Sequence, residues 1–343
     1  MTHRFPIKEI ARQAGLGTAT VDRVLNNRAH VAAQTRRRVA AAINELEAQE
    51  RQLAARGRRM FVDVVVEAPR RFSRQVRLAC EGVLAQIPEA IYRPRFLLQD
   101  IMSEEEVAAA IDRIRKRGSQ GVILKARNIP VVQQAIENLA ATGIPVVTLV
   151  TDVATPARCA YAGIDNTQAG RTAAFLLAQF REATPSVVLT TRSQEDFLGE
   201  TERFEAFSQA YRAMRPADQL LTFAGGGGVA YDTRAALEAA LKDAPPIAGV
   251  YSMGGGNAAI LDVLGAAGQR PTHFLAHDMD LENSALLKDG HISVILHHDL
   301  TQDMRHAFAA LSAWHGLRAA SAAPVRLSDV QIITRHNIPS DFR

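Results

Sequence analysis

The stretch GLGTATVDRVLNNR, residues 15–28, offers the first recognisable chemistry in this chain. Wound as a helix, it turns Val21, Val24 and Leu25 one way and leaves Thr18, Ala19 and Arg23 on the other side. Those last three residue types suit the edges of base pairs. An arginine donates two hydrogen bonds to guanine O6 and N7, a threonine bonds a base edge or a phosphate, and an alanine packs on a thymine methyl. Asn26 and Arg28, at the end of the stretch, complete this part of the DNA-contacting set. The competing interpretation of a lone exposed arginine is a solvated surface charge, so the surrounding elements decide.

Pro6 suits the first turn of a helix, where its missing N–H costs nothing. Ile7, Ile10, Ala11 and Ala14 follow at helical spacing and share one face. Gly15 stops that helix, and Gly17 ends the turn. A second helix is expected over Thr18 to Asn26. A third opens near Thr35, a suitable N-cap, and buries Val39, Ile43 and Leu46. Two helices joined by a tight glycine turn and braced by a third form the helix-turn-helix plan, whose second helix enters the major groove. Charge agrees. Residues 1–59 hold 12 Lys and Arg against 5 Asp and Glu, a net of +7, and the remaining 28 against 31 leave −3. The basic excess belongs wholly to this head, as expected of a unit that meets a polyanion.

The chain has 343 residues, 47% of them hydrophobic and 22% charged. That is enough for two or three domains with ordinary cores. No apolar run reaches the ~18 residues of a membrane span, and the start MTHRFPIKEIARQ lacks the apolar stretch of a secretory signal. Cys80 and Cys159 suit neither a disulfide framework nor a metal site. The expectation is a cytoplasmic protein with no membrane partner, metal or cofactor.

The segment IKEIARQAGLGTATVDRVLNNRAHVAAQTRRRVAAAINEL resembles the N-terminal domain of the lactose-repressor (LacI/GalR) family of bacterial transcription regulators. Asp22 departs from the serine usual there. A carboxylate at that place either holds Arg23 in an ion pair or accepts from a cytosine amine. The resemblance implies a hinge after the third helix, here EAQERQLAARGRR over residues 47–59. The family's Tyr-x-Pro-Asn lead-in is missing, which leaves helix three free to run on. Gln52-Leu53-Ala54 matches the hinge core. The resemblance implies that Leu53, paired with its twin in a dimer, wedges into a minor-groove step; otherwise Leu53 is an apolar residue on a linker helix. Arg51, Arg56, Arg58 and Arg59 would contact phosphates.

From Phe61 the rhythm changes. FVDVVVE, PRFLLQ, GVILK, PVVTLV, SVVLTT, QLLTFA, IAGVYS, HFLAH and ISVILH are β-rich runs that alternate with helical stretches. Ser103 caps one such helix, Glu106 completes a capping box, Val107, Ile111 and Ile114 face the sheet, and Gly118 ends it. The pattern predicts an α/β body of two doubly wound parallel-sheet subdomains behind the small all-α head. This body resembles periplasmic sugar-binding proteins. The expected division is a helix-turn-helix domain over 1–46, a hinge over 47–59, and an effector-binding and dimerisation domain over 60–343. Within that domain a first lobe takes 60–161 and 292–322, and a second takes 162–291 and 323–343.

Ligands of such sheets sit beyond the carboxyl ends of the strands, so the loops there supply candidates. Arg71, Phe72, Ser73 and Arg74 follow the first run; Lys125, Arg127 and Asn128 follow GVILK. Asp165 and Asn166 lie in GIDNTQAGR, Arg192, Glu195 and Phe197 follow SVVLTT, and Ser252 and Asn257 follow IAGVYS. By the resemblance, TERFEAF puts Arg203 on the family's ligand-binding arginine and HFLAHDMD puts Asp278 on its polyol-binding aspartate. ISVILHHDL brings His298 near a position that often carries glutamine. The binding set is therefore Phe72, Arg74, Lys125, Arg127, Asp165, Arg192, Arg203, Ser252, Asn257, Asp278 and His298. Its cations exceed what a neutral sugar needs and predict an anionic effector, such as a sugar acid or sugar phosphate.

Other motifs carry less. AGGGGVAYDT and SMGGGN lack the Gly-Lys-Ser/Thr ending of a phosphate loop and the spacing of a dinucleotide fingerprint. Their glycines are expected to let backbone approach a ligand or the neighbouring lobe. His297, His298 and Asp299 are adjacent, and adjacent strand residues point to opposite faces. Trp314, near Phe308 and Leu311, suits a core or a dimer interface. No set of nucleophile, base and orienting group appears, so no enzyme is expected. The function expected is a transcription regulator, a repressor, that binds a double-stranded operator as a homodimer under control of a small carbohydrate-type effector. The alternatives are a cytoplasmic sugar-binding protein and a carbohydrate-metabolism enzyme without a DNA role.

Overall fold

The computed structural model describes residues 4–28, 31–55, 59–180, 184–318 and 327–342, with the side chains of 48 and 50–55 excepted. The chain divides into two compact units, one containing the head and the other the bulk of two β-sheets.

In the head, α1 (Ile7–Ala14), α2 (Thr18–Leu25) and α3 (Ala33–Ala55) enclose a small core. Ile10, Ala11, Ala14, Val21, Val39 and Leu46 are buried there, with Val24, Leu25 and Ile43 packed on its edge. Gly15 ends α1 in the left-handed region, at φ 60°, where a side chain would be strained. The guanidinium of Arg38 reaches across from α3 and donates to the carbonyls of Ala14 and Gly15, 2.8 and 3.2 Å away. Two C-terminal carbonyls of α1 are thereby satisfied. The third helix opens at Ala33, so Thr35 lies inside it and is not its cap. It also continues to Ala55, through most of the segment expected to be a separate hinge. Neither Pro nor Gly interrupts residues 33–55, so nothing local stops the helix.

The body alternates strand and helix: β1 (Arg59–Glu67), α4 (Arg70–Leu84), β2 (Ile91–Gln99), α5 (Glu104–Arg117), β3 (Val122–Lys125), α6 (Pro130–Ala141), β4 (Val146–Leu149) and β5 (Ala160–Ala162). Then follow α7 (Asn166–Phe180), β6 (Val187–Arg192), α8 (Leu198–Met214), β7 (Gln219–Ala224), α9 (Ala230–Ala240), β8 (Ile247–Ser252), α10 (Asn257–Ala266), β9 (His273–His277), α11 (Leu281–Lys288), β10 (Val294–His297), α12 (Leu300–Trp314) and β11 (Gln331–Ile333). The first sheet has the order β2-β1-β3-β4-β5 and the second β11-β10-β9-β8-β6-β7. The short interior strands VILK, VVTL and VILH are buried at every residue, because helices cover both faces. The capping box of α5 is present in full, and Gly118 ends that helix at φ 85°.

Two expectations about the lobes change. The return to the first lobe does not begin at 292, because β10 lies inside the second sheet between β9 and β11. The chain leaves that sheet only after His297, and Leu311 of α12 then packs against Gly121 at the start of β3. The second sheet is also not wholly parallel, since β11 runs antiparallel to β10. Trp314 is 49% exposed and so is not a core residue.

Candidate functional site

On the head, Thr18, Ala19 and Arg23 are exposed, while Val21 on the opposite face of α2 is fully buried. The Arg23 side chain has no partner among the described residues. Asp22 does not hold it. The Asp22 carboxylate instead accepts from Asn26 Nδ2 at 2.8 Å and lies 3.3 Å from Arg28 Nη2. Asp22, Asn26 and Arg28 thus form one exposed local group beside a free Arg23. Leu53 lies on the last turn of α3, but its side chain and those of Arg51, Arg56 and Arg58 are outside the described residues.

In the body, the loops beyond the carboxyl ends of β1, β3, β4, β6, β8 and β9 surround a cavity of about 60 Å³. That is room for a few waters. Phe72, Lys125, Arg203 and Asp278, four of the expected residues, line it. The other seven do not. Arg74 points into surface grooves, and Arg127 is tied to Glu67 and the Met102 carbonyl. Asp165 caps the start of α7 through Gln168 N–H. Arg192 lies over the Phe204 ring and beside Glu195. Ser252 and Asn257 are fully buried behind the cavity wall, and His298 lies beneath Asp278. The excess of cations that predicted an anionic effector is therefore not at the cavity. Three cations, Arg71, Lys125 and Arg203, face three carboxylates, Glu200, Asp278 and Asp280.

The backbone supports these side chains closely. Gly170 brings α7 against α8, where a Cβ would come within 2.3 Å of the Arg203 carbonyl oxygen. Asn166, the first residue of α7, accepts from Arg203 Nε at 2.8 Å, and Met253 O accepts from Nη1 at 3.0 Å. Nη2 has no hydrogen-bond partner among the described residues. Lys125 Nζ donates to Glu67 O at 3.0 Å and lies 3.9 Å from the Phe197 ring centroid. Burial lowers its pKa to about 8, against the pull of Glu200, Glu67 and Asp278. Burial raises Glu200, though it accepts from both Ser193 N–H and Ser193 Oγ at 2.6 Å. Gly254 leaves the space that Glu200 fills, and Gly255, at φ 87°, leaves that of Arg71. Arg71 in turn reaches Asp280, the N-cap of α11, at 2.8 Å and joins the two lobes across the cavity mouth.

Val150 and Asp278 both adopt φ 65°, a left-handed conformation that is costly above all for the β-branched Val150. Each directly follows a strand, and each lines the cavity. Strain of this kind clusters where a ligand must be met. For Asp278, burial works to raise the pKa, but the positive charge of His298, reinforced by Arg203, holds the carboxyl well below its usual range. His277, beside it, stays neutral because burial and then Arg203 depress its pKa; it pairs with Tyr251 at 2.8 Å. Arg71, Phe197, Glu200, Asp280 and Asn283 line the cavity without being in the expected set. Arg71 and Phe197 were visible as loop residues. Glu200 and Asn283 sit inside helices, where loop position gives no signal.

Two families of known proteins match separate stretches of the chain. Residues 6–47 match the family described as bacterial regulatory proteins, lacI family, and residues 100–313 match the family described as periplasmic binding protein domain. The chain carries a LacI-family head on a body that belongs to the periplasmic binding protein family. The HTH-type transcriptional regulator TreR of Escherichia coli (strain K12) is 34% identical over 126 residues, which is 36% of this chain and 39% of TreR. The chain thus spans about 39% of the length of that relative. Among solved structures, a protein assigned as a LacI transcriptional regulator from Bacteroides fragilis superposes with a TM-score of 0.70 at 14% identity, over 82% of this chain and 98% of its own. An ABC transporter solute-binding protein from Burkholderia graminis, in complex with D-arabinose, gives 0.71 at 19% identity, over 82% and 97%. These two likenesses are likenesses of fold. Among the described residues no helix is long and apolar enough to cross a membrane, and no group of three or more His, Cys, Asp or Glu is placed to hold a metal ion.

Proposed function

We propose that this protein is a sequence-specific DNA-binding transcription regulator, a repressor, whose affinity for its operator is set by a small carbohydrate bound in the body. The observation that carries this is the free guanidinium of Arg23, exposed on α2 beside Thr18 and Ala19 while Val21 anchors the same helix. An arginine so placed can engage guanine O6 and N7 in the major groove. A homodimer would present two such helices to a pseudo-palindromic site. The protein would act in the cytoplasm, without catalysis of its own.

The cavity favours a neutral ligand over a charged one, because its three cations already face three carboxylates. Asp278 would accept from a pair of hydroxyls, Arg203 Nη2 would donate to a sugar oxygen, and Phe72 and Phe197 would cover C–H surface. Thermal-shift and calorimetric titrations with neutral monosaccharides, the matching sugar acids and phosphates, and disaccharides test this reading. Binding of a neutral monosaccharide is expected; binding of acids or phosphates alone would contradict the neutral assignment. Binding would change operator affinity only through different affinity for two lobe arrangements.

A further inference from the structure

Beneath Asp278 runs a row of buried polar side chains that a binding cavity does not by itself require. His298 is 1% exposed, and its Nε2 lies 3.0 Å from Asp278 Oδ1, at ion-pair distance but without hydrogen-bond alignment. Its Nδ1 pairs with Oδ2 of Asp303, a fully buried carboxylate in the first turn of α12. The other Asp303 oxygen accepts from the Ser328 hydroxyl. Ser328 is buried too; its N–H donates to Gly163 O at 2.8 Å, and it forms a β-bridge with Ile164. The row ends where the chain passes between the sheets: after β5 at Gly163, after β10 at His298, and before β11 at Ser328.

We propose that His298 is a positioning residue that transmits the charge on Asp278 to the lobe crossings through Asp303 and Ser328. This rests on the reading of the cavity as the effector site. An imidazole between two buried carboxylates is held in its doubly protonated form, since a neutral ring would leave Asp303 without a counter-charge. Burial opposes that charge, but Asp278 and then Asp303 outweigh it and raise the pKa to about 10. His277 and His297 also act on this group, and neither supplies a negative charge. A ligand hydroxyl on Asp278 draws off part of the carboxylate's charge. The imidazolium then leans toward Asp303, and Asp303 accepts less strongly from Ser328. The hydrogen bond that closes the crossing at Gly163 is loosened. An apolar or singly bonded side chain at 298 would anchor Asp278 without this transmission.

The test needs neither effector nor DNA. In full-length protein, ¹⁵N-histidine spectra of the wild type, assigned with His298→Gln, are expected to show both His298 nitrogens protonated from pH 6 to 8. Asp278→Asn removes the charge and keeps the shape, and should change amide hydrogen exchange at Ser328 by about tenfold, within the range of ordinary coupling between sites. In the His298→Gln background the same change at 278 should leave Ser328 unmoved. A merely structural His298 would give additive effects. A neutral His298 tautomer at pH 7, an unchanged Ser328 in Asp278→Asn, or additivity in the double variant would each overturn the proposal. If Asp278→Asn does not fold, Asp303→Asn is read in its place, with a lowered His298 pKa expected and an unchanged one contradicting. Failure here leaves the effector cavity standing, whereas failure of every sugar to bind would remove the cavity reading and leave this charge row intact.

Discussion

The head and the cavity handle charge in opposite ways. In the head, Arg23 is exposed without a partner among the described residues, and the excess of +7 over residues 1–59 has few acids to answer it. Around the cavity every cation faces a carboxylate, and the deepest groups are paired in rows. A surface that must meet many phosphates gains from unanswered charge, because each contact releases counterions and binding weakens with salt. A cavity that must distinguish one small polyol from another gains from fixed, neutralised groups that cannot rearrange. The same residue type, arginine, is exposed on the helix surface at 23 and holds a wall in place at 203.

That contrast can be broken in several places. The largest effect is expected at Arg203, which has 3% exposure and ties α8 to Asn166 and to the Met253 carbonyl. Arg203→Leu should cost about 3 kcal/mol or more in urea unfolding, because its partners are left buried and unpaired. Arg23→Ala should leave stability unchanged but weaken the operator complex by about 1–3 kcal/mol, with little change on random duplex. A loss on both duplexes alike would make Arg23 a phosphate contact.

A smaller effect is expected from pH. The folded-state pKa of His298 is raised to about 10, so its stabilisation is complete below the ordinary histidine range and is lost as pH rises toward 10. Between about pH 7 and 8 the His298 contribution to stability should fall by about 1 kcal/mol, as the unfolded chain releases a proton that the folded chain keeps. His277 and His297 are depressed and add stability as pH rises toward about 7, and Lys125 begins to release its proton near 8, so the His298 slope is read as the difference from His298→Gln. Urea unfolding at pH 7 and 8 checks this; a slope equal to that of His298→Gln would refute it. The smallest effect is at Arg38. Arg38→Ala should lower head stability by about 1 kcal/mol through two lost bonds to the end of α1.

Much of the fold was open to reading. All nine β-rich runs became strands, because runs such as VILK and VVTL are mostly apolar, buried at every residue, and belong to two-faced sheets. The two strands missed, β5 and β11, are three residues long and only partly buried, too short for a period to register. In the head, glycine turn and helical spacing sufficed for α1 and α2. The start of α3 was misplaced because Thr35 has the chemistry of a cap without the position. For the cavity, Lys125, Arg203 and Asp278 follow from strand ends and motif, but Arg127 and Arg192 occupy similar loops and turn away to Glu67 and Phe204. Loop position fixes where a backbone is and leaves open which acid captures its side chain. Asp280 shows the same limit: its pairing with Arg71 joins residues 209 apart in the chain.

The central claim is that an outward arginine on α2 reads a base sequence and that the cavity governs how well it does so. The most direct measurement is the fluorescence anisotropy of full-length protein on genomic fragments and on random duplex at moderate ionic strength, each with and without a monosaccharide that raises its melting temperature. The account predicts at least a ~1,000-fold preference for one fragment, lost in Arg23→Ala, and a shift of about 5–150-fold when the sugar is added. Equal affinity for all duplexes, unmoved by any bound sugar, would contradict it.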